Sequence, residues 1–238
     1  MTAADGPPPP AGVPRDYDSD PGRYRLGRQL ARVHTTVDLY NRVAQLLAEL
    51  GAGTVLDVGC ADGALRAALA APAPWLVGLD TSHTLLRDHP SPAVQADAAR
   101  LPVRDRAVDA ITALNVLYHL PDPLPAVREA RRVLRVGGHL LAATVARTDS
   151  PELAAYWTRP ATSFDAEDAP RLIAQVFESV TVFRWDAPLV TLPDATAIRD
   201  YLVVRQVPIA VARAAADGLR APLVVTKRGA LIVAGRGR

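Results

Sequence analysis

The sequence has little of what several common classes of protein require. Its single cysteine, Cys60, excludes an internal disulfide bond and a zinc site built from several thiolates. Aromatic residues make up 5% of the chain, fewer than we expect of a protein that stacks on nucleic-acid bases. No apolar run is long enough to span a membrane, and the N-terminus lacks the hydrophobic region of a signal peptide. We therefore expect a cytoplasmic protein whose partner is neither a membrane nor a nucleic acid.

Lysine is also almost absent, since Lys227 is the only one among 27 basic residues. The formal net charge is +2, so the pI near 8.9 reflects a small surplus of scattered arginines and not a dense basic surface. Hydrophobic residues, in contrast, make up 49% of the 238 residues, which is enough for the core of one α/β domain. The sequence shows no internal repeat and no second domain.

The N-terminal part changes character near Arg23. Residues 1–22 hold six prolines and few large apolar side chains, so we predict a disordered tail. From 23 to 50, apolar residues recur at three- and four-residue spacing, which predicts one long helix or two helices broken near Thr35.

The stretch from Val55 to Ala64 predicts a strand, a tight glycine turn and the start of a helix. Glycines let the backbone approach a bound nucleotide, and a helix N-terminus offers free N–H groups. The turn reads Asp57-x-Gly59-x-Ala61-x-Gly63. It matches neither the phosphate-binding G-x-x-x-x-G-K-[ST] pattern nor the dinucleotide pattern G-x-G-x-x-G. A nucleoside pocket is the remaining interpretation.

Acidic residues are associated with two further predicted strands. Asp80 ends the strand 75–79 and lies 23 residues after Asp57. Asp97 belongs to a third short strand and turn at 94–98. An acidic residue at the tip of the second parallel strand is well placed to accept hydrogen bonds from ribose hydroxyls. Three carboxylates at three successive strand ends point to nucleoside binding more strongly than the glycine turn does alone.

Four more strands and four helices are predicted downstream. The strands cover 107–114, 139–145, 180–183 and 223–234, the last interrupted near 227–229. The helices cover 122–135, ended by Gly137-Gly138, then 166–177, 194–204 and 207–218. The total is seven strands.

The glycine turn resembles motif I of the class I S-adenosylmethionine (SAM) dependent methyltransferases, of the kind called methyltransferase type 11. Its usual form is D/E-x-G-x-G-x-G, and Ala61 stands here at the middle glycine. The segment 129–138 before an apolar strand also looks like this family, so the resemblance covers roughly residues 50–146. It implies an α/β fold: a Rossmann-like, doubly wound, seven-stranded sheet, mostly parallel, with an antiparallel last strand and helices on both faces.

The resemblance divides residues 23–238, as a single domain, into three parts. An N-terminal helix (23–50) would cover the cofactor, 51–146 would bind SAM, and 147–238 would form the substrate side and the C-terminal part. The cofactor-binding residues that it implies are Asp57, Gly59, Cys60, Ala61, Gly63, Asp80, Thr81, Asp97, Ala98 and Asn115, together with Tyr24 and Arg28 of the covering helix.

The implied reaction is methyl transfer from SAM, with S-adenosylhomocysteine as product, to an oxygen, nitrogen or carbon atom of a small molecule, in a pathway such as specialised biosynthesis. His119 follows the fourth strand and is the histidine best placed to act as a general base. Tyr118, His119, Tyr156 and Trp157 are the expected acceptor pocket. No metal ligand set is present, because the acidic residues belong to the nucleoside site or to helix caps and no histidine pair has i, i+4 spacing.

Other functions remain open at the level of sequence. A SAM-binding protein that regulates, or catalyses another reaction such as a cyclisation, would carry the same motifs. A nicotinamide-dependent oxidoreductase could use Asp80 for the same ribose, although the glycine spacing argues against it. A nucleic-acid methyltransferase is disfavoured by the low aromatic content. The sequence leaves the acceptor atom and the oligomeric state undetermined.

Overall fold

The computed structural model describes residues 17–18, 20–35, 38–90 and 92–237. Of the tail predicted at 1–22, residues 1–16 and 19 lie outside the described residues. The N-terminal part forms two helices, α1 (Pro21–His34) and α2 (Leu39–Glu49), so the break expected near Thr35 is present. Helix α1 starts two residues earlier than expected, because Pro21 suits the first helical turn and the carboxylate of Asp20 accepts the N–H of Arg23 at 3.0 Å.

The centre of the fold is a seven-stranded sheet. Its strands are β1 (Thr54–Val58), β2 (Trp75–Asp80), β3 (Ala93–Gln95), β4 (Val108–Leu114), β5 (Leu134–Val145), β6 (Ser179–Leu192) and β7 (Leu223–Gly235). They lie in the order β3-β2-β1-β4-β5-β7-β6. The strands β1 to β5 pair in parallel, whereas β7 lies antiparallel between β5 and β6. The predicted doubly wound, mostly parallel sheet with an antiparallel last strand is confirmed.

Helices cover the sheet on both faces. The remaining ones are α3 (Ala64–Ala68), α4 (His83–Leu86), α5 (Leu124–Val133), α6 (Ala169–Ile173), α7 (Ala195–Val203) and α8 (Ile209–Gly218). Alternate residues of β1 serve the two faces: Val55 packs in the core formed with α2 and α3, and Leu56 packs in the core formed with α5 and α6. A third apolar cluster holds α7 and α8 together.

Two predicted boundaries around Gly137-Gly138 are wrong. Helix α5 ends at Val133, and β5 starts at Leu134 and runs through the glycine pair. The extension is stabilised by Arg236, whose backbone pairs with Gly137 and Gly138 at 2.9 Å. The guanidinium of Arg236 also donates to carbonyl oxygens at the end of α5. These contacts come from the far end of the chain, so the local sequence does not reveal them.

Strands β6 and β7 are also longer than predicted, and α6 is shorter. β6 has 14 residues and β7 has 13, without the interruption expected at 227–229. Lys227 and Arg228 remain in the strand because Asp149 and Asp186 pair with their charges. Val145, the last residue of β5, lies opposite Gly229. The first six residues of β7 therefore project past the carboxyl edge of the parallel strands, paired with β6, and α7 and α8 connect the two projecting ends.

Candidate cofactor and acceptor site

The glycine turn between β1 and α3 is fastened to the neighbouring strand. The backbone N–H groups of Gly59 and Cys60 donate to the carbonyl oxygen of Leu79 at 2.7 and 3.1 Å. Gly59 and Gly63 have φ angles of +71° and +82°, values that favour glycine. Ala61 has φ +47°, so alanine adopts a left-handed conformation where the family has its middle glycine. The turn has the shape that the motif predicts.

Asp80 ends β2 and touches the turn directly. One carboxylate oxygen accepts the N–H of Ala61 and the other accepts the N–H of Ser82, both at 2.9 Å. Burial raises the pKa of Asp80 above its ordinary value, although these N–H donors favour the charged form. Each carboxylate oxygen keeps a lone pair for another donor. Asp80 is thus oriented for a ligand with adjacent hydroxyl groups.

The next strand supplies a second polar corner. Asp97 lies two residues after β3, is exposed, and accepts the N–H of Ala99 at 2.8 Å. Ala98 is buried, and within the described ranges its N–H donates to no protein acceptor. A carboxylate beside an unused N–H matches the donor and acceptor edge of an adenine ring. Thr81, also a predicted contact, is exposed, and its carbonyl oxygen accepts from Gln95 at 2.9 Å.

Asp57 differs from the expectation of a strand-end carboxylate. It lies inside β1, is 4% exposed, and accepts the hydroxyl of Thr112 on β4 at 2.6 Å. Burial raises the pKa of Asp57 to about 7, opposed by the Thr112 hydrogen bond and reinforced by the charge of Asp80. The side chain therefore links β1 to β4 inside the sheet.

The underside of the turn is closely packed against β2. A Cβ atom added to Gly78 would lie 2.6 Å from His89 Nε2 and 2.7 Å from Cys60 Sγ. Burial raises the pKa of the Cys60 thiol, which keeps it uncharged. Cys60 is therefore a packing residue of the turn.

Helix α1 is joined to the turn through Asp62, a residue that sequence reasoning missed. The hydroxyl of Tyr24 donates to Asp62 at 2.7 Å, and Arg28 Nε lies 3.5 Å from the same carboxylate. Arg28 also lies over the ring of Tyr40, 5.3 Å from its centroid. Asp62 occupies a position that the motif leaves unspecified. A sequence signal for its role existed, because an acidic residue in the turn can pair with Tyr24 and Arg28 of the predicted covering helix.

His119 lies in an aromatic group that extends to Tyr24 of α1. It ends a single 3-10 turn, Leu117–His119, after β4. Its ring centroid is 4.5 Å from that of Tyr118 and 5.7 Å from that of Tyr17, which in turn lies 5.2 Å from Tyr24. Burial, together with the charges of Arg23 and Arg159, lowers the pKa of His119 to about 4. The imidazole is neutral at neutral pH and can accept a proton or a hydrogen bond.

Asn115 and Val116 bring this aromatic group to the glycine turn. Asn115 follows β4 with φ +57°, which turns the chain sharply. A Cβ atom on Gly59 would lie 2.4 Å from Val116 Cγ2, so only glycine lets the two segments meet. The predicted cofactor residue Asn115 and the predicted acceptor residues Tyr118 and His119 are thereby brought to one side of the turn.

Arg159 is a second residue that sequence reasoning missed. Its guanidinium lies 5.4 Å from the centroid of the Tyr118 ring and pairs with Asp165, which is fully buried. Burial raises the pKa of the Tyr118 phenol, and the positive charge of Arg159 opposes that shift. The sequence signal was weak, because Arg159 lies in an irregular segment 41 residues after Tyr118.

Tyr156 and Trp157, the two other predicted pocket residues, make contacts with different parts of the fold. Tyr156 packs against the end of α8, where a Cβ atom on Gly218 would lie 2.3 Å from its hydroxyl. Within the described residues Tyr156 makes no ring contact with His119. Trp157 faces the guanidinium of Arg205, 5.7 Å from its ring centroid.

The part of the chain that the structure describes holds no group of three or more potential metal ligands. None of its helices is both long enough and apolar enough to cross a membrane.

Comparison with known proteins gives a family match for the central segment of the chain. Residues 56–142 match the family model described as "Methyltransferase domain". Ubiquinone biosynthesis O-methyltransferases of Alkalilimnicola ehrlichii and Ralstonia nicotianae are each 32% identical, over 115 and 116 residues, 44% and 43% of this chain. These matches cover 47% and 48% of the two relatives, so the chain spans about half the length of the curated relatives it matches.

Solved structures are similar over nearly the whole chain. The [4+2]-cyclase SpnF superposes with a TM-score of 0.62 at 19% identity, covering 96% of this chain and 100% of its own. A SAM-dependent methyltransferase of Thermotoga maritima also gives 0.62, at 16% identity, covering 92% and 98% of the two chains. At these identities the likeness establishes the shared fold.

Proposed function

We propose that this protein transfers the methyl group of SAM to a small molecule, because residues 56–142 match the methyltransferase domain and the chain has the Rossmann-like fold. The single observation that carries the proposal is the contact of Asp80 with the Ala61 N–H, because it fixes a ribose-type carboxylate against the glycine turn inside the matched segment. The names of the curated relatives favour oxygen as the acceptor atom.

The residues around the turn fit an adenosyl group. Asp80 would accept the two ribose hydroxyls, Asp97 would accept the adenine amino group, and the Ala98 N–H would meet a ring nitrogen. Asp62, held by Tyr24 and Arg28, lies where a cationic amino group of the cofactor would be attracted. When bound, SAM supplies an electrophilic methyl group on a positively charged sulfur.

The protein contributes mainly by holding the acceptor. In-line displacement requires nucleophile, methyl carbon and sulfur to be collinear, and positioning alone accounts for much of such a rate. His119 is neutral and half-buried beside Tyr118, so it accepts a hydrogen bond from an acceptor hydroxyl and orients it. Its low pKa makes it a weak base.

Catalysis without methyl transfer is the second candidate function. Its support is the SpnF superposition, in which a cyclase shares the fold with the same TM-score as the methyltransferase of Thermotoga maritima. The fold accommodates both kinds of protein, so only an assay for the product distinguishes them.

Calorimetry followed by mass spectrometry tests the proposal. We expect both SAM and S-adenosylhomocysteine to bind, and NAD⁺ to give no heat. Incubation with methyl-labelled SAM and a panel of small phenols should then give labelled product and S-adenosylhomocysteine in equal amounts. Binding of NAD⁺ in place of SAM would reject the proposal, whereas SAM binding with conversion of a substrate but no label transfer would favour the second candidate.

A further inference from the structure

Arg205 lies just past the end of helix α7 with its guanidinium fixed against aromatic rings. The guanidinium carbon is 3.3 Å from the centroid of the Tyr201 ring and 5.7 Å from that of Trp157. One terminal nitrogen donates to the carbonyl oxygen of Tyr201 at 2.7 Å. Stacking and this hydrogen bond hold a planar cation in one orientation.

No ion pair among the described residues neutralises the charge of Arg205. No carboxylate in the described ranges forms an ion pair with it, and only one of its five N–H donors is engaged, by the Tyr201 carbonyl. Two other cations, in contrast, are each neutralised by a buried carboxylate: Arg159 pairs with Asp165, and Lys227 pairs with Asp149. A half-buried guanidinium with several unused donors is suited to an external anion.

Arg205 belongs to the same side of the molecule as the candidate acceptor residues. Trp157, which faces its guanidinium, lies two residues before Arg159, whose guanidinium lies over the ring of Tyr118, the neighbour of His119. Helix α1 packs on the end of α7, where a Cβ atom on Gly27 would lie 3.9 Å from Val204. Arg205 is therefore at the junction of the covering helix, α7 and the aromatic group.

We propose that Arg205 binds the carboxylate of an aromatic methyl acceptor, with Trp157 and Tyr118 as apolar walls for its ring. A guanidinium fork matches a carboxylate with two parallel hydrogen bonds. The reacting hydroxyl then lies toward His119, at the opposite end of the acceptor. This inference rests on the proposed function and adds the chemical class of the substrate.

A pair of probes that differ only in charge tests the inference on the full chain. With S-adenosylhomocysteine at saturation, 4-hydroxybenzoate and its methyl ester are titrated by calorimetry. We expect the acid to bind at least about tenfold more tightly than the ester, because hydrogen bonds to a charged group are lost in the ester. The preference should disappear in Arg205→Gln and be partly retained in Arg205→Lys.

A matched control is Arg213→Gln, which changes an exposed arginine on the neighbouring helix α8 and should keep the full preference. Thermal unfolding of each variant shows whether it is still folded. If Arg205→Gln does not fold, Arg205→Lys serves as the test variant, because it keeps the positive charge but lacks the guanidinium fork. Equal affinity of acid and ester for the wild type, absence of binding by both, or a preference that survives in Arg205→Gln overturns the inference. S-adenosylhomocysteine binding, measured first, separates these results from failure of the proposed function.

Discussion

The Tyr24 hydroxyl and the Asp62 carboxylate, 2.7 Å apart, join helix α1 to the glycine turn. Burial and the hydrogen bond to Asp62 raise the pKa of the Tyr24 phenol, so it remains a donor throughout the physiological range. Helix α1 is thereby anchored at the glycine turn. Asp62 and the aromatic ring on α1 become a single wall of the candidate site.

Replacing Tyr24 by Phe should loosen this wall. The hydrogen bond to a carboxylate is lost while the ring remains, so we expect binding of S-adenosylhomocysteine to weaken by about 1–2 kcal/mol, with faster amide exchange in α1. Calorimetry and hydrogen exchange measure the two effects. Arg25→Gln is the matched control, because Arg25 lies on the same helix and its exposed ion pair with Asp88, after α4, contributes little to stability. Unchanged affinity and exchange in Tyr24→Phe would mean that the contact has no anchoring role.

Asp80→Ala should weaken cofactor binding by about 2–4 kcal/mol, since charge-assisted hydrogen bonds to ribose are lost. The variant also loses the link between Asp80 and the Ala61 N–H, so the turn itself should become more mobile. Calorimetry with S-adenosylhomocysteine measures the loss. Asp88→Ala, which removes an exposed carboxylate after α4, should bind like the wild type. Equal affinity of the two variants would remove Asp80 from the site.

Deletion of residues 1–16 should leave cofactor binding unchanged, and deletion of residues 1–18 should weaken it. The tail was predicted to extend to residue 22, but Tyr17 contacts His119 and Asp18 accepts from the hydroxyl of Ser82 at 2.6 Å. Asp18 also accepts the N–H of Thr84 at 3.0 Å, so it fastens the chain beside Asp80. Equal binding by both deletion variants would show that these contacts are dispensable.

The pH dependence of turnover should contain no step from His119 between pH 5.5 and 9. Its pKa of about 4 lies below that window, so the imidazole stays neutral throughout. We expect His119→Ala to lower kcat by less than about tenfold, because a weak base adds little beyond positioning. Steady-state rates with any accepted substrate measure both effects. A loss of 100-fold or more with unchanged cofactor affinity would establish general base catalysis instead.

Asp57→Asn should stabilise the protein more at pH 8 than at pH 5. The folded-state pKa of about 7 exceeds the ordinary value of 3.8, so the folded state binds an extra proton between these values. Wild-type stability therefore falls as the pH rises from 3.8 to about 7 and levels off above that, and the neutral amide avoids the loss, which is on the order of 2–4 kcal/mol between pH 5 and 8. Urea unfolding at both pH values measures the difference.

Thr112→Val provides the complementary check. It removes the hydroxyl that stabilises the charged carboxylate of Asp57, so it should lower the free energy of unfolding more at pH 8 than at pH 5. A pH-independent effect of both substitutions would contradict the raised pKa.

The sequence predicts best where the signal is local. The positions of β1 and the glycine turn, the strand-end placement of Asp80 and the antiparallel β7 follow from periodicity, turn chemistry and resemblance to a family. Asp62 escaped notice because its role depends on Tyr24, 38 residues away in the chain. The full length of β6 and β7 depends on pairing between distant segments, which makes polar residues such as Lys227 compatible with a strand.

The residues proposed to hold the methyl acceptor were the hardest part of the site to predict from the sequence. Arg205 follows an ordinary amphipathic helix, and only the folded chain shows its ring contacts and that no carboxylate of the described ranges pairs with it. Tyr156 and Trp157 are adjacent in sequence, yet the first packs against α8 and the second faces Arg205. Aromatic composition cannot distinguish these roles, because both side chains are half-buried against apolar neighbours.

Helices α7 and α8 enter the fold through β6 and leave it through β7, two strands that pair with each other along their whole length. Residues 193–222 are thus an insertion between the arms of a hairpin whose register is fixed independently of them. The segment that matches the methyltransferase domain ends at residue 142, well before this insertion. If the proposed function holds, exchange of 193–222 between relatives would transplant the proposed Arg205 wall of the acceptor pocket onto an unchanged sheet, so new substrate preferences can arise here by recombination.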